Sequence, residues 1–338
     1  MGFHETIAAD EEARFEGYGA ELVDIQRRRA AKKGGALERA LHVKAHTGVV
    51  GELTVSAPES ARSGVFASPG QSYPAYVRFS NGSSHGQPDK APDARGFAVK
   101  LVGVPGPKLI PGLEQEQTQD FLFINDPALP FRDPREFMAF VRAAKGGPAL
   151  MLPKLFAGVG LGRGVSILKR ALGSPKVLSF ATHAFHTGAP VSFGTSAAKL
   201  GLFPAPSAAG AAGTVGAASS GEHYLRDDLV LRLKSGPLVW SLRAQLFVDE
   251  QSTPIEDASV VWSAPWVEVG TLTIPKQDPE SAKGKQIAAL VETLSFDPWH
   301  SIAAHKPLGA IMRARGVAYK ASVLARNAAP EPKSVILL

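Results

Sequence analysis

The sequence contains no cysteine. Disulfides, thiolate zinc sites, iron–sulfur clusters and cysteine nucleophiles are therefore excluded. It also lacks any run of apolar residues long enough to cross a bilayer, because Lys154 and Arg163 flank the best candidate stretch. The opening residues, MGFHETIAADEEAR, are acidic and carry no apolar core of the signal-peptide kind. These absences lead us to expect a cytoplasmic protein without membrane insertion. Tyrosine is scarce as well, with five in 338 residues.

What is present points to a folded, β-rich chain. Hydrophobic residues make up 44% and charged residues 20%, enough for a substantial core and too apolar for intrinsic disorder. The 34 glycines and 26 prolines favour strands and turns over an all-helical bundle. The length allows two domains or one large β domain. The net charge of +6 is concentrated near the end of the chain: Lys306, Arg313, Arg315, Lys320, Arg326 and Lys333 face only Glu331 there. The remaining basic residues are too scattered for a nucleic-acid surface, so no nucleic-acid partner is expected.

Residues 8–33 read as a charged, solvated helix, acidic first and basic last, ending at Gly34. Strands are expected over 41–56, 75–80, 95–104, 118–125, 228–234, 238–248 and 267–274, each rich in β-branched or aromatic residues and bounded by turn residues. Asp133 and Pro134 open a helix over 133–145. Residues 150–173 are helical in part, 204–221 form a small-residue surface loop, and helices over 279–293 and 308–327 close the chain. The fold class that follows is α+β. It comprises a closed antiparallel β-barrel with an N-terminal arm helix (1–36) and a core over 37–338. Within that core the barrel spans about 38–276 and the C-terminal helices about 279–327.

On the last helix, residues 315, 319, 322 and 326 fall within a stripe about 60° wide. Arg315 lies one turn from Tyr319, and Arg326 two turns beyond it. A guanidinium beside a phenol favours the phenolate, a hard anionic ligand that can serve haem iron, and a second Arg can bind a carboxylate in bidentate fashion. An ordinary basic helix with a half-buried Tyr has the same spacing.

Other segments narrow the choice. Arg315-Gly316-Val317-Ala318-Tyr319 resembles the R-x-x-x-Y motif of haem catalases, and Phe296-Asp297-Pro298 resembles the F-x-P that precedes it. Tyr76-Val77-Arg78-Phe79-Ser80 and Asp93-Ala94-Arg95-Gly96-Phe97-Ala98-Val99-Lys100 resemble the V-R-F-S and D-x-R-G-F-A-V-K blocks. Asn125-Asp126-Pro127 with Arg132-Asp133-Pro134, and Glu38-Arg39 with His42-Val43-Lys44, complete the series in order. The chain thus resembles the haem catalase superfamily, in particular its small catalase-related peroxidases, and is also similar to the coral-type allene oxide synthase.

The resemblance implies haem b (iron protoporphyrin IX) with Tyr319 as its axial iron ligand and Arg315 setting the phenolate charge. His42 becomes the distal acid–base group, Ser80 its hydrogen-bond partner, and Asn125 the amide that positions peroxide. Arg39, Arg78 and Arg326 meet the propionates, and Phe137 lines the channel. Two other pocket positions carry Leu129 and Pro130 in place of Phe. His46 rivals His42, four residues on and expected on the same strand face. Counting back from Arg132-Asp133-Pro134 puts the amide position at Ile124, one residue early, so a bulge is needed to bring Asn125 into place. His183, His186, Trp299, His300 and His305 show no metal-triad spacing, and packing roles are expected for them.

The implied function is reduction of organic hydroperoxides, and of hydrogen peroxide as a further substrate, with a small organic electron donor. Dismutation of hydrogen peroxide, fatty-acid hydroperoxide isomerisation or lysis, and non-catalytic haem binding are the alternatives. The short arm lacks the threading that ties large catalase tetramers together, which is compatible with a homodimer.

Overall fold

The computed structural model describes residues 2–145, 148–173, 176–205 and 221–338. Nine antiparallel strands run in chain order as β1 (Ala45–Val55), β2 (Ser72–Asn81), β3 (Arg95–Val102), β4 (Thr118–Ile124), β5 (Phe185–His186), β6 (Val191–Phe193), β7 (Ser196–Pro204), β8 (Leu238–Leu246) and β9 (Trp266–Ile274). β1 pairs with β2 and with β9, and the two-residue β5 pairs with both β4 and β7. Those pairings close eight strands into a ring, while β6 hairpins onto β7 outside it. The expected barrel is therefore present.

The interior of the ring is filled with side chains. Phe79 lies with its ring tilted 4.5 Å from that of Phe97, which meets Trp240 edge-on at 5.1 Å, and Phe180 and Phe185 are fully buried beside them. Each such ring removes apolar surface from water and contributes on the order of 1.5–3 kcal/mol. A barrel packed this tightly has no room for a large cofactor, so any such site must lie on its outer wall.

Seven helices among the described residues cover that wall: α1 (Glu11–Lys33), α2 (Pro134–Ala144), α3 (Pro148–Val159), α4 (Leu161–Gly173), α5 (Tyr224–Ser235), α6 (Ala282–Thr293) and α7 (Ala310–Ala325). Asp133 caps α2 as expected, accepting from the backbone N–H groups of Arg135 and Glu136. The segment 228–234, expected as a strand, lies inside α5. Its apolar residues fit a helical period better: Leu225, Leu229 and Leu233 recur every fourth residue and are fully buried, and Arg232 bonds Asp228 one turn back. The small-residue segment 204–221 lies almost wholly outside the described residues.

The α1 helix is less solvated than its charge suggests. Phe15, Tyr18, Leu22 and Gln26 form a buried face, and Gly19 lies against Val317 and Ala321 of α7. Gln26 donates to the Glu38 carbonyl at 2.6 Å and to Ser322 Oγ at 3.0 Å, tying the arm to α7.

Candidate functional site

One face of the barrel's outer wall brings the motif residues together. Arg78, Ala98 and Leu122 form one outward row across β2, β3 and β4, and Ser80, Gly96 and Ile124 form the next. His42 precedes β1 and adopts a left-handed backbone with φ of 55°. That conformation is costly for a residue with a side chain and must be held from outside. Its N–H donates to the Gly82 carbonyl at 3.0 Å, and its own carbonyl accepts from Arg78 Nη2 at 2.9 Å.

So held, the imidazole places Nδ1 3.0 Å from Ser80 Oγ. Gly96 makes the space for this pair: a Cβ there would sit 2.6 Å from His42 Nδ1 and 2.7 Å from Ser80 Oγ. Burial, followed by the charges of Arg78, Arg315 and Arg39, pushes the His42 pKa down to about 3. The ring is neutral at pH 7. With Nδ1–H donated to Ser80, Nε2 carries the lone pair of a base.

His46 does not compete for this role. The β1–β2 register shifts between Ala45 and Thr47, and His46 turns to the other side of the wall. There its Nε2 lies 2.8 Å from Asn81 Oδ1 and its ring 5.2 Å from Phe180, in a network with Asp89. The expectation that His42 and His46 share a strand face is corrected accordingly.

Asn125 also departs from expectation. The β3–β4 register runs unbroken from Val102–Thr118 to Gly96–Ile124, without the bulge that would carry Asn125 onto the His42 face. Cross-strand partners share a face, so Ile124 stands in the row of Gly96 and Ser80. The Asn125 side chain instead closes the end of the ladder. Its Oδ1 accepts the Arg95 N–H at 2.7 Å, and its carbonyl lies 3.2 Å from His183 Nε2. The distal position that the motif count assigns to an amide carries an apolar side chain.

On the opposite side, α7 presents the expected stripe. Arg315 Nη2 donates to Tyr319 Oη at 3.1 Å, with the guanidinium over the ring at 5.1 Å. The helix is fixed from behind by Trp299, whose indole N–H donates to the Met312 carbonyl at 2.6 Å. Gly316 is what allows this: a Cβ there would lie 2.8 Å from the Trp299 ring nitrogen. A glycine inside a helix costs about 1 kcal/mol, a cost offset here by the indole contact. Phe137 of α2 is half-buried where α1, α2 and α7 meet, edge-on to Phe131 at 5.4 Å.

The three remaining arginines gather at the end of α6, two of them on Glu292, which the motifs do not flag. Arg78 Nε donates to Glu292 Oε2 at 2.9 Å, and Arg39 bonds the same carboxylate. Arg39 and Arg326 each donate to the Leu294 carbonyl at 2.7 Å. Burial and the neighbouring guanidinium of Arg78 hold the Arg39 pKa well below its usual range. Arg39 and Arg78 thus pair with one half-exposed carboxylate, and Arg326 lies near enough to feel its charge without bonding it. A cofactor bearing carboxylates would find these guanidiniums grouped to receive it, and the Tyr319 oxygen, held by Arg315, would be its ligand atom. The residues present therefore fit haem on this wall.

His300 and His305 are fully buried in packing and hydrogen-bonding roles, and the described residues contain no cluster of metal-ligating side chains.

A closed barrel thus carries a His42–Ser80 pair on its outer wall, and the α7 helix carries Arg315 and Tyr319. The catalase family model matches residues 23–156. A catalase-related peroxidase of Mycolicibacterium paratuberculosis is 29% identical over 298 residues, covering 86% of this chain and 89% of its own. A fungal catalase superposes with a TM-score of 0.66 at 21% identity, over 89% of this chain and 61% of its own. Catalase A from Saccharomyces cerevisiae gives 0.65 at 18%, over 96% and 66%. The chain spans about three fifths of the length of the fungal catalase. The chain is thus similar to the catalase family over residues 23–156 and to a catalase-related peroxidase over most of its length, and it shares the fold of solved catalases.

Proposed function

We propose that this protein is a haem-dependent peroxidase that reduces organic hydroperoxides, and hydrogen peroxide as well, using a small organic electron donor. Haem b would be held by the Tyr319 oxygen on its iron, with Arg39, Arg78 and Arg326 on its propionates and Phe137 lining the approach. When bound, it supplies a redox-active iron at which the O–O bond is cleaved. His42 Nε2 takes the hydroperoxide proton and returns it to the departing oxygen, which leaves as the alcohol or as water. Ser80 keeps the imidazole in the tautomer that makes Nε2 the base. Arg315 holds the Tyr319 hydroxyl by its hydrogen bond and so orients the oxygen that would face the iron.

Ile124 is the observation that favours peroxidase chemistry over dismutation. In dismutation a second hydrogen peroxide, small and polar on both oxygens, must be oriented beside His42. The sec-butyl side chain of Ile124 in the Ser80 row offers it no hydrogen bond, but packs well against the carbon chain of an organic hydroperoxide. The test compares donor oxidation supported by tert-butyl hydroperoxide with oxygen release from hydrogen peroxide. Strong donor oxidation with little oxygen is expected, and the variant Ile124→Asn should shift the balance toward oxygen release. Vigorous oxygen evolution by the unaltered protein would overturn the reading.

A further inference from the structure

Between Glu136 and Glu222 the sequence contains no acidic residue, yet it carries Arg142, Lys145, Lys154, Arg163, Lys169, Arg170, Lys176 and Lys199. The described part of this acid-free stretch includes α3 and α4, and these two helices have two apolar faces each. The inner face packs as expected: Leu155 and Ile167 are fully buried with Phe131 and Ala143, against α2. Arg163 anchors α4 there, bonding Glu136 at 2.7 Å and 2.9 Å.

The outer face is apolar and in water. On α4, Leu161, Val165 and Leu172 are 68%, 51% and 73% exposed. At about 100° per residue they lie within a stripe about 40° wide, roughly opposite Ile167. On α3, Leu150 is exposed, with Lys154 next to it one turn on. Lys169 borders the α4 stripe. Neither Lys154 nor Lys169 has a carboxylate partner among the described residues, whereas Arg142 and Lys145 are paired with Glu21. Single exposed leucines are ordinary, but a row of them bordered by unpaired lysines on adjacent helices is not.

We propose that α3 and α4 form a docking face for an anionic phospholipid bilayer, at which the site meets hydroperoxides of membrane acyl chains. The leucines would enter the acyl boundary while the lysines extend to the phosphates. With 12 and 13 residues, the two helices suit the interface and are too short to span it. Charge complementarity selects a lipid surface over a second copy of this chain, since the patch would meet its own positive charge in a symmetric pair. The substrate part of the proposal rests on the peroxidase reading; the docking part does not.

The test is co-sedimentation of the full chain with vesicles of mixed phosphatidylcholine and phosphatidylglycerol, and with phosphatidylcholine alone. Pelleting with the mixed vesicles only, weakened by salt, is expected. Leu161→Ser with Leu172→Ser should weaken it by at least about tenfold. Lys154→Glu with Lys169→Glu, at positions where folding is indifferent, should abolish the preference for anionic vesicles. Protein that stays in the supernatant, or pelleting that the variants leave unchanged, would overturn the docking face. So would a dimer in sedimentation velocity that the leucine variants dissociate, since a second copy would then be the occupant. Pelleting is read without turnover, so loss of peroxidase activity and loss of docking give separate results.

Discussion

The outer wall around His42 and the α7 helix hold their polar groups by different means. On α7, Arg315 and Tyr319 are four residues apart, and one helical turn brings them into contact. On the wall, His42, Ser80, Gly96 and Ile124 come from four separate segments, and only strand register decides which of them meet. The helix tolerates error, because a neighbouring turn keeps its spacing wherever the helix begins. The wall does not, because a slip of one residue reverses the facing of a whole strand. Under the proposed function, the chemistry that needs exact placement would fall to the wall and the presentation of one ligand oxygen to the helix.

The comparison can be tested from both sides. The largest effect is expected on the helix. Tyr319→Phe should abolish the phenolate-type spectrum or haem retention altogether, read by absorption after purification. On the wall, His42→Ala should keep haem but slow peroxide cleavage by about 10²- to 10⁴-fold, the usual range for loss of a general acid–base group. His46→Ala should leave cleavage largely intact. If the two histidine variants exchange their behaviour in stopped-flow measurements, the facing assigned to the wall is wrong.

A smaller effect concerns stability. Burial lowers the pKa of His42 and His300 to about 3 and of His46, His186 and His305 to about 4. Between pH 6.5 and about 4 the unfolded chain protonates these five histidines while the folded chain does not. Burial raises Asp120 to about 8 and Asp297 to about 7, so these two carboxyls hold protons in the fold and oppose the trend. The unfolded state binds more protons on balance, so stability should fall as pH drops through this window. The slope is about 1.4 kcal/mol per pH unit for each unmatched proton, read as a falling urea midpoint.

The same contrast explains what the sequence revealed. The stripe on α7 could be read from spacing alone, since 3.6 residues per turn is a local rule. The cap of α2 by Asp133 is local as well. Asn125 could not be placed, because its facing depends on pairing with β3 and on the Arg95 N–H that captures its side chain. Glu292 carries no local signal: it matters only because Arg39 and Arg78 arrive from residues more than 200 positions away. The α5 helix was obscured because its leucines, alternating with polar residues over a few positions, also fit a strand; the fourfold recurrence over a longer window separates the two.

The central claim is that this outer wall holds haem between His42 and Tyr319 for reduction of organic hydroperoxides. The absorption spectrum of the purified protein, before and after addition of tert-butyl hydroperoxide, tests it most directly. A Soret band that changes on addition and returns when a donor is supplied is the result predicted. A protein that takes up no haem, or a Soret band that the hydroperoxide leaves unmoved, would contradict it.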